Sequence, residues 1–248
     1  MPFTKINRYC LTVVRNLILI ALLAAALPAL GGVFSSYEFK SDSWPVNERV
    51  DYKIQALEEK ASGTTSISIR KITQMDTDMF LVRYEGKEGN EKDKWEVKLK
   101  KADLMPVSYE ETIQKKDATS TYSGAFHGKE MTLTSRSSGA QPKQMLLSRG
   151  GKYYLSMVMP YLLRSLNYKT GDYYTFHMLI IKDGSFTTPI IQVKEKEVLE
   201  VPAGIYECWK LNIKIGSEQN YGWYSVKPPH FLVKYRYPDK ELIMVKHY

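Results

Sequence analysis

From about residue 48 to the C-terminal end, with one interruption, apolar and polar side chains alternate with a period of two. The segment KWEVKL puts Trp95, Val97 and Leu99 on one face and charged residues on the other. TSISIR does the same with Ile67 and Ile69, and EMTLTS with Met131 and Leu133. Such alternation describes strands with one buried and one solvated face, the building material of antiparallel sheets. It predicts strands near 48–57, 63–73, 78–86, 93–101, 105–114, 118–127, 130–136, 172–182, 188–200, 204–216, 220–226, 230–237 and 241–247. The gaps hold EGKEGN, GDYY, KDGS, VPAG and YPDK, turn-forming segments short enough to join antiparallel neighbours. The longest loop is SRSSGAQPK at 135–143, and neither a domain-sized linker nor an internal repeat is present.

The interruption is YYLSMVMPYLLRSLNY, residues 153–168. Leu155, Val158, Leu162 and Leu166 recur at helical spacing, with Met157, Tyr161 and Ser165 on the flank, so the segment reads as a helix apolar over most of its circumference. Pro160 fits the first residue of a helical turn, where its missing N–H costs nothing. A many-stranded sheet can enclose such a helix by curling its apolar face around it. The expected fold is therefore mainly β: a single antiparallel curved sheet, a half-barrel or incomplete barrel, around one apolar helix.

The stretch EVLEVPAGIYECWKLNIKI, residues 197–215, admits two readings, a nucleophile on an elbow or an ordinary hairpin. Pro202 at the second and Gly204 at the fourth position suit a type I turn. The alternation after it turns Trp209 toward the core and Cys208, beside Tyr206, to the other face. A catalytic thiol needs a neighbouring base and a lowered pKa. His177 and His230, the nearest histidines, lie on other strands, so the hairpin reading is preferred.

Lys5, Arg8 and Arg15 precede the apolar run Leu17–Leu30, and Pro28, Gly31 and Gly32 close it. This is the layout of a secretory signal, with small residues allowing cleavage after Gly31. The run makes about 21 Å of helix, short of the ~30 Å hydrocarbon core. Residues 1–31 are thus expected to be a signal peptide that meets the membrane transiently, and 32–248 one exported β domain; the alternative is an uncut anchor reaching Phe34, which would export the same domain. Cleavage removes three of the charges behind the formal +8. The remaining excess is spread through Lys/Glu alternations such as KEGNEKDKWEVKLKK, without the basic, aromatic-interleaved block that follows a phosphate backbone, so nucleic acid is not an expected partner. Cys10 leaves with the signal, and Cys208 is the one mature cysteine. Stability must come from a core rather than from an internal disulfide.

No G-x-S-x-G elbow, H-E-x-x-H, C-x-x-C, phosphate loop or EF-hand spacing occurs. His127, His177, His230 and His247 are scattered, and the carboxylate pairs at 58–59 and 110–111 point to opposite faces of a strand or sit in loops, and read as solvated. Neither catalytic nor metal-ligating residues are nominated, and no cofactor is expected.

YLLRSLNYKTGDYYTF, then KEVLEVPAGIYECWKLNI, then GWYSVKPPHFLVKYRY resemble the exported bacterial proteins of domain-of-unknown-function family 3108. The matching residues are Arg164, Leu166, Gly171 and Asp172 at the helix exit, Pro202, Ala203 and Gly204 at the hairpin, and Trp223, Ser225 and Pro229 beyond it. The likeness covers residues 153–237, and PPHFLVKY stands where an acidic turn would be expected before the proline. The resemblance implies a bacterial periplasmic or cell-envelope protein with a half-barrel similar to lipoprotein carriers, and no assigned chemistry.

A curved sheet around an imperfectly filling helix leaves an apolar concave site. Met157, Met159, Leu162, Leu166, Trp209 and Trp223 are the candidate lining for a lipid or other apolar ligand, methionine supplying an adaptable surface. The alternative is an envelope interaction protein with a packed core, binding another envelope protein through faces such as KYRYPDK.

Overall fold

A computed structural model describes residues 36–57 and 62–248. The expected signal sequence and the carboxylates at 58–59 lie outside the described residues. Among the described residues, no helix is long and apolar enough to cross a membrane.

Among the described residues seventeen strands form in chain order: β1 (Asn47–Ala56), β2 (Ser62–Gln74), β3 (Thr77–Glu88), β4 (Glu91–Lys100), β5 (Pro106–Lys115), β6 (Ala118–His127), β7 (Glu130–Ser137), β8 (Lys143–Ser148), β9 (Tyr154–Leu155), β10 (Tyr173–Thr175), β11 (Met178–Ile180), β12 (Ser185–Thr187), β13 (Ile190–Val201), β14 (Gly204–Ile215), β15 (Glu218–Ser225), β16 (Leu232–Arg236) and β17 (Lys240–His247). Fourteen make one antiparallel sheet in the order β10-β13-β14-β15-β16-β17-β1-β2-β3-β4-β5-β6-β7-β8. It is two meanders joined where β17 returns to pair with β1, from Val50 opposite His247 to Ala56 opposite Lys240. The sheet does not close, because β10 and β8 are its two free ends. Bulges at Asp51/Tyr52, Lys98/Leu99, Val193/Lys196 and Trp223/Tyr224 raise the local twist and bend the strands.

The alternation read from the sequence holds on the ground: Ile67, Ile69, Trp95, Val97, Leu99, Met131 and Leu133 are all buried. Their face is covered by the segment between β8 and β13. Within it β9, β11 and β12 make a small three-stranded sheet, and Ser156–Ser165 is helical. Leu155, Val158, Leu162, Leu163 and Leu166 from this insert are buried, and Tyr224 from the sheet donates to the Pro160 carbonyl at 2.6 Å.

Three expectations are corrected here. The helix spans ten residues rather than 153–168, as one α-turn at Met159–Leu162 flanked by two 3-10 turns. Tyr154 and Leu155 are extended because they have a competing partner, β11, with which they pair in parallel; at the other end Leu166 turns extended, with ψ at 149°. The strand expected at 172–182 breaks in two, β10 joining the large sheet and β11 the small one. β8 was not anticipated, because its KQMLLS does not alternate and is largely exposed.

Arg164 fixes the insert to the sheet. It is 3% exposed and its guanidinium grips Glu48, itself 5% exposed, through two hydrogen bonds of 2.5 and 3.2 Å. Its Nε donates to the Pro229 carbonyl at 3.1 Å, and His247 Nε2 donates to the same carboxylate at 3.0 Å. Removing one side of a buried pair strands the other charge. Arg164→Met is therefore expected to cost about 3–5 kcal/mol in denaturant unfolding. Leu162→Ala, which empties a fully enclosed site, is expected to cost about 2–5 kcal/mol in the same measurement.

Candidate ligand cavity

A half-open cavity of about 470 Å³ lies between the insert and the inner face of the sheet, at the end where β14 turns into β15 and β16 into β17. Met157, Met159, Tyr161, Met178 and Ile180 line it from the insert. Ile54, Tyr84, Trp95, Tyr237 and Leu242 line it from the sheet, with Tyr84 and Trp95 stacked at 5.3 Å between ring centres.

The polar lining comes from both meanders. Asp93 on β4 and Glu111 on β5 sit on one face, since Glu111 pairs with Trp95 and Asp93 is two residues before it. Glu218, Asn220 and Tyr235 reach the cavity from β15 and β16, and Lys182 and Lys240 are also in its wall. Three of these residues carry buried polar atoms without a hydrogen-bond partner: Asp93 Oδ1, Asn220 Nδ2 and the Tyr235 hydroxyl. Buried polar groups are normally paired, so three orphans in one cavity mark where a ligand or water would bind. Glu111 Oε2 accepts from the Tyr109 hydroxyl at 2.5 Å. Burial, and then the charge of Glu111, push the Asp93 carboxyl up to about 7.

Reading the carboxylates as solvated hid this pair, although alternation with Tyr109 and Ile113 turns Glu111 inward. Glu110 is exposed, as expected for the carboxylates at 110–111, but Glu111 points inward and is buried. Asp93 begins the same inward series as Trp95, Val97 and Leu99, which was the available signal.

Of the residues singled out as lining, Met157 and Met159 are in the cavity wall, while Leu162 and Leu166 are enclosed in the core and take no part in it. Trp209 is half-buried on the inner face, stacked on Tyr168 at 5.9 Å. Trp223 is on the opposite face of the sheet, paired across the strands with Lys210 and Lys234, and its indole N–H donates to Glu197 at 2.9 Å. Cys208 faces away from Trp209 but is fully buried. Desolvation, with Glu197 and Glu207 nearby, pushes its thiol up to about 12, so it stays protonated at neutral pH.

The motif residues gather elsewhere. Gly171 N–H donates to the Val193 carbonyl and Val193 N–H donates back to Asp172, both at 2.9 Å, tying the exit of the insert to the bulge of β13. Gly171 has φ +91°, a conformation that favours glycine. Pro202 and Ala203 make the β13–β14 turn, Gly204 follows at φ +129°, and the Tyr206 hydroxyl donates to the Ala203 carbonyl at 2.9 Å. The Ser225 hydroxyl donates to the Lys227 carbonyl, and His230 Nδ1 donates to the Ser225 carbonyl, which shapes the loop that offers Pro229 to Arg164. Glu48 and Ile54 are six residues apart on β1, roughly 20 Å of strand, whereas on the insert Tyr161 in the cavity wall is only three residues before Arg164. Among the described residues no cluster of His, Cys, Asp or Glu is arranged to hold a metal ion.

The family model described as Protein of unknown function (DUF3108) matches residues 49–240, from the start of β1 into β17 and so well beyond the 153–237 carried by the quoted motifs. A search of curated proteins finds no match. Among solved structures the chain is similar to a beta-barrel-like DUF1849 protein from Brucella abortus, at 7% identity and TM-score 0.49, over 82% of this chain and 97% of that one. It is also similar to a Bacteroides fragilis protein with a YmcC-like fold, at 8% identity and TM-score 0.33, over 86% and 100% of the two chains.

Because the folded chain holds the Asp93 proton up to about 7 while the unfolded chain releases it near 3.8, this group's contribution to stability is full below about pH 4 and is lost as pH rises through 7. Asp93→Asn has no such loss. Its stability relative to the parent is expected to rise between pH 4 and 8, by about half of the ~4 kcal/mol that three pH units would give in full because solvent screens a partly exposed carboxyl, in urea unfolding at a series of pH values.

Proposed function

The chain belongs to the DUF3108 family, and we propose that it is a non-catalytic binding or carrier module of the bacterial cell envelope that holds a lipid-like ligand in this cavity. The observation that carries the reading is a half-open, methionine-floored cavity between the insert and the inner face of the sheet, with three unpaired buried polar atoms in its wall. Its volume of about 470 Å³ falls in the range of roughly 300–1,000 Å³ used for small-molecule sites. The methionines suit an apolar chain, because an unbranched thioether adapts to different shapes. The N-terminal sequence supports export, with Lys5, Arg8 and Arg15 before the apolar run Leu17–Leu30. A second reading, an envelope interaction protein, rests on the β13–β14 hairpin, where Val198 and Ile205 are 70% and 71% exposed on one face.

Native mass spectrometry of protein purified from a bacterial envelope tests the carrier reading. A retained apolar adduct is expected, on a mature chain lacking residues 1–31. Met157→Trp, which fills the cavity, should reduce the adduct several-fold with a stability loss of no more than ~1–3 kcal/mol. A parent protein free of adduct, or an adduct unaffected by Met157→Trp, would contradict it.

A further inference from the structure

The cavity has a polar end whose chemistry is one-sided. Its two inward carboxyls, Asp93 and Glu111, are neighbours on adjacent strands, and Glu218 adds a third acid to the wall. The cations do not balance them. Lys240 is engaged by Glu88 at 2.8 Å, which leaves Lys182, an exposed side chain in the wall whose charge reaches Asp93, as one cation against three acids. Asp93 Oδ1 is buried, accepts from nothing and belongs to a carboxyl facing another acid. An ionised carboxylate is acceptor-only and asks for an N–H or O–H donor. A carboxylate or phosphate head would bring a further negative charge to Asp93 and Glu111, which desolvation makes expensive. A hydroxyl would satisfy the hydrogen bond without answering the charge. A quaternary ammonium would answer the charge without a donor.

We infer that the ligand of this cavity is an amphipathic amine, an apolar chain bearing a protonated primary or secondary amine that docks on the Asp93–Glu111 carboxyl pair while the chain lies against Met157, Met159 and Met178. This rests on the reading of the cavity as a ligand site. The orphaned donors Asn220 Nδ2 and Tyr235 hydroxyl lie in the same wall, both residues being almost wholly buried, and they suit an oxygen acceptor near the amine. The exterior works against a cationic amphiphile, since the chain carries a formal charge of +8. A preference for the amine would therefore report the cavity rather than the surface.

The test is calorimetric titration of the expected mature domain, residues 32–248, and of the whole chain at pH 8 with four probes of one chain length below their micelle concentrations: decylamine, decanol, decanoic acid and decyltrimethylammonium. Decylamine is protonated at this pH. It is expected to bind about tenfold more tightly than decanol, the increment of a charge-assisted hydrogen bond, and more tightly again than the acid or the quaternary salt. Asp93→Asn, and independently Glu111→Gln, should bring the amine-to-alcohol ratio close to one, with folding checked by thermal unfolding. Equal binding of all four probes, preference for the acid, or an amine preference that survives both substitutions would overturn the amine assignment and leave the cavity as a ligand site. Binding of none of them would overturn both.

Discussion

The ion pair between Arg164 and Glu48 sits at the seam where the two meanders meet, and the placement of the insert depends on it. Glu48 begins β1, His247 ends β17, and the Pro229 carbonyl comes from the loop between β15 and β16. One guanidinium thus joins the insert to both halves of an unclosed sheet. Burying two charges is costly, and such a pair holds only when the remaining donors and acceptors are also met. Here the bidentate contact, the Pro229 carbonyl and His247 meet most of them. Tyrosines do similar work for the short helix, whose carbonyls have few partners of their own. Tyr224 serves Pro160, Tyr168 serves Leu163 and Tyr37 serves Ser165.

This division gives the molecule two unlike ends. At one, the motif residues Arg164, Ser225 and Pro229 lock loops together, and Gly171 and Asp172 hold the exit of the insert against β13. At the other, the insert stands off from the sheet and leaves the cavity. The motif by which the family resemblance was read is therefore a latch for the scaffold, and the candidate ligand groups lie outside it. Function in such a protein would be carried by residues that need not recur with the latch.

Much of the fold was legible because a half-buried strand writes its burial into every second residue. β2, β4 and β7 were readable from Ile67, Trp95 and Met131 alone. The same rule fails where a strand lacks a buried face, as in β8, and where a segment is apolar throughout. Tyr153 to Met159 suits a helix or a strand equally, and pairing with β11 decides between them. The cavity was half legible: methionines at 157 and 159 suggested it, and Glu111 lies between Tyr109 and Ile113 in the inward series of β5, but its nearness to Asp93 depends on the pairing of β4 with β5, a long-range fact. Trp223 illustrates the converse. Its burial is achieved on the outer face, under Lys210, Lys234 and Arg236, rather than in the core.

The central claim is that the latched insert leaves one end of the half-barrel open for an apolar ligand with its head among Asp93, Asn220 and Tyr235. A crystal structure of protein purified from a bacterial envelope without delipidation tests it most directly. The account predicts elongated density along Met157 and Met159, ending within hydrogen-bond distance of Asp93 Oδ1. A cavity holding ordered water alone, or closed by movement of the Met157–Tyr161 turn onto Tyr84 and Trp95, would contradict it.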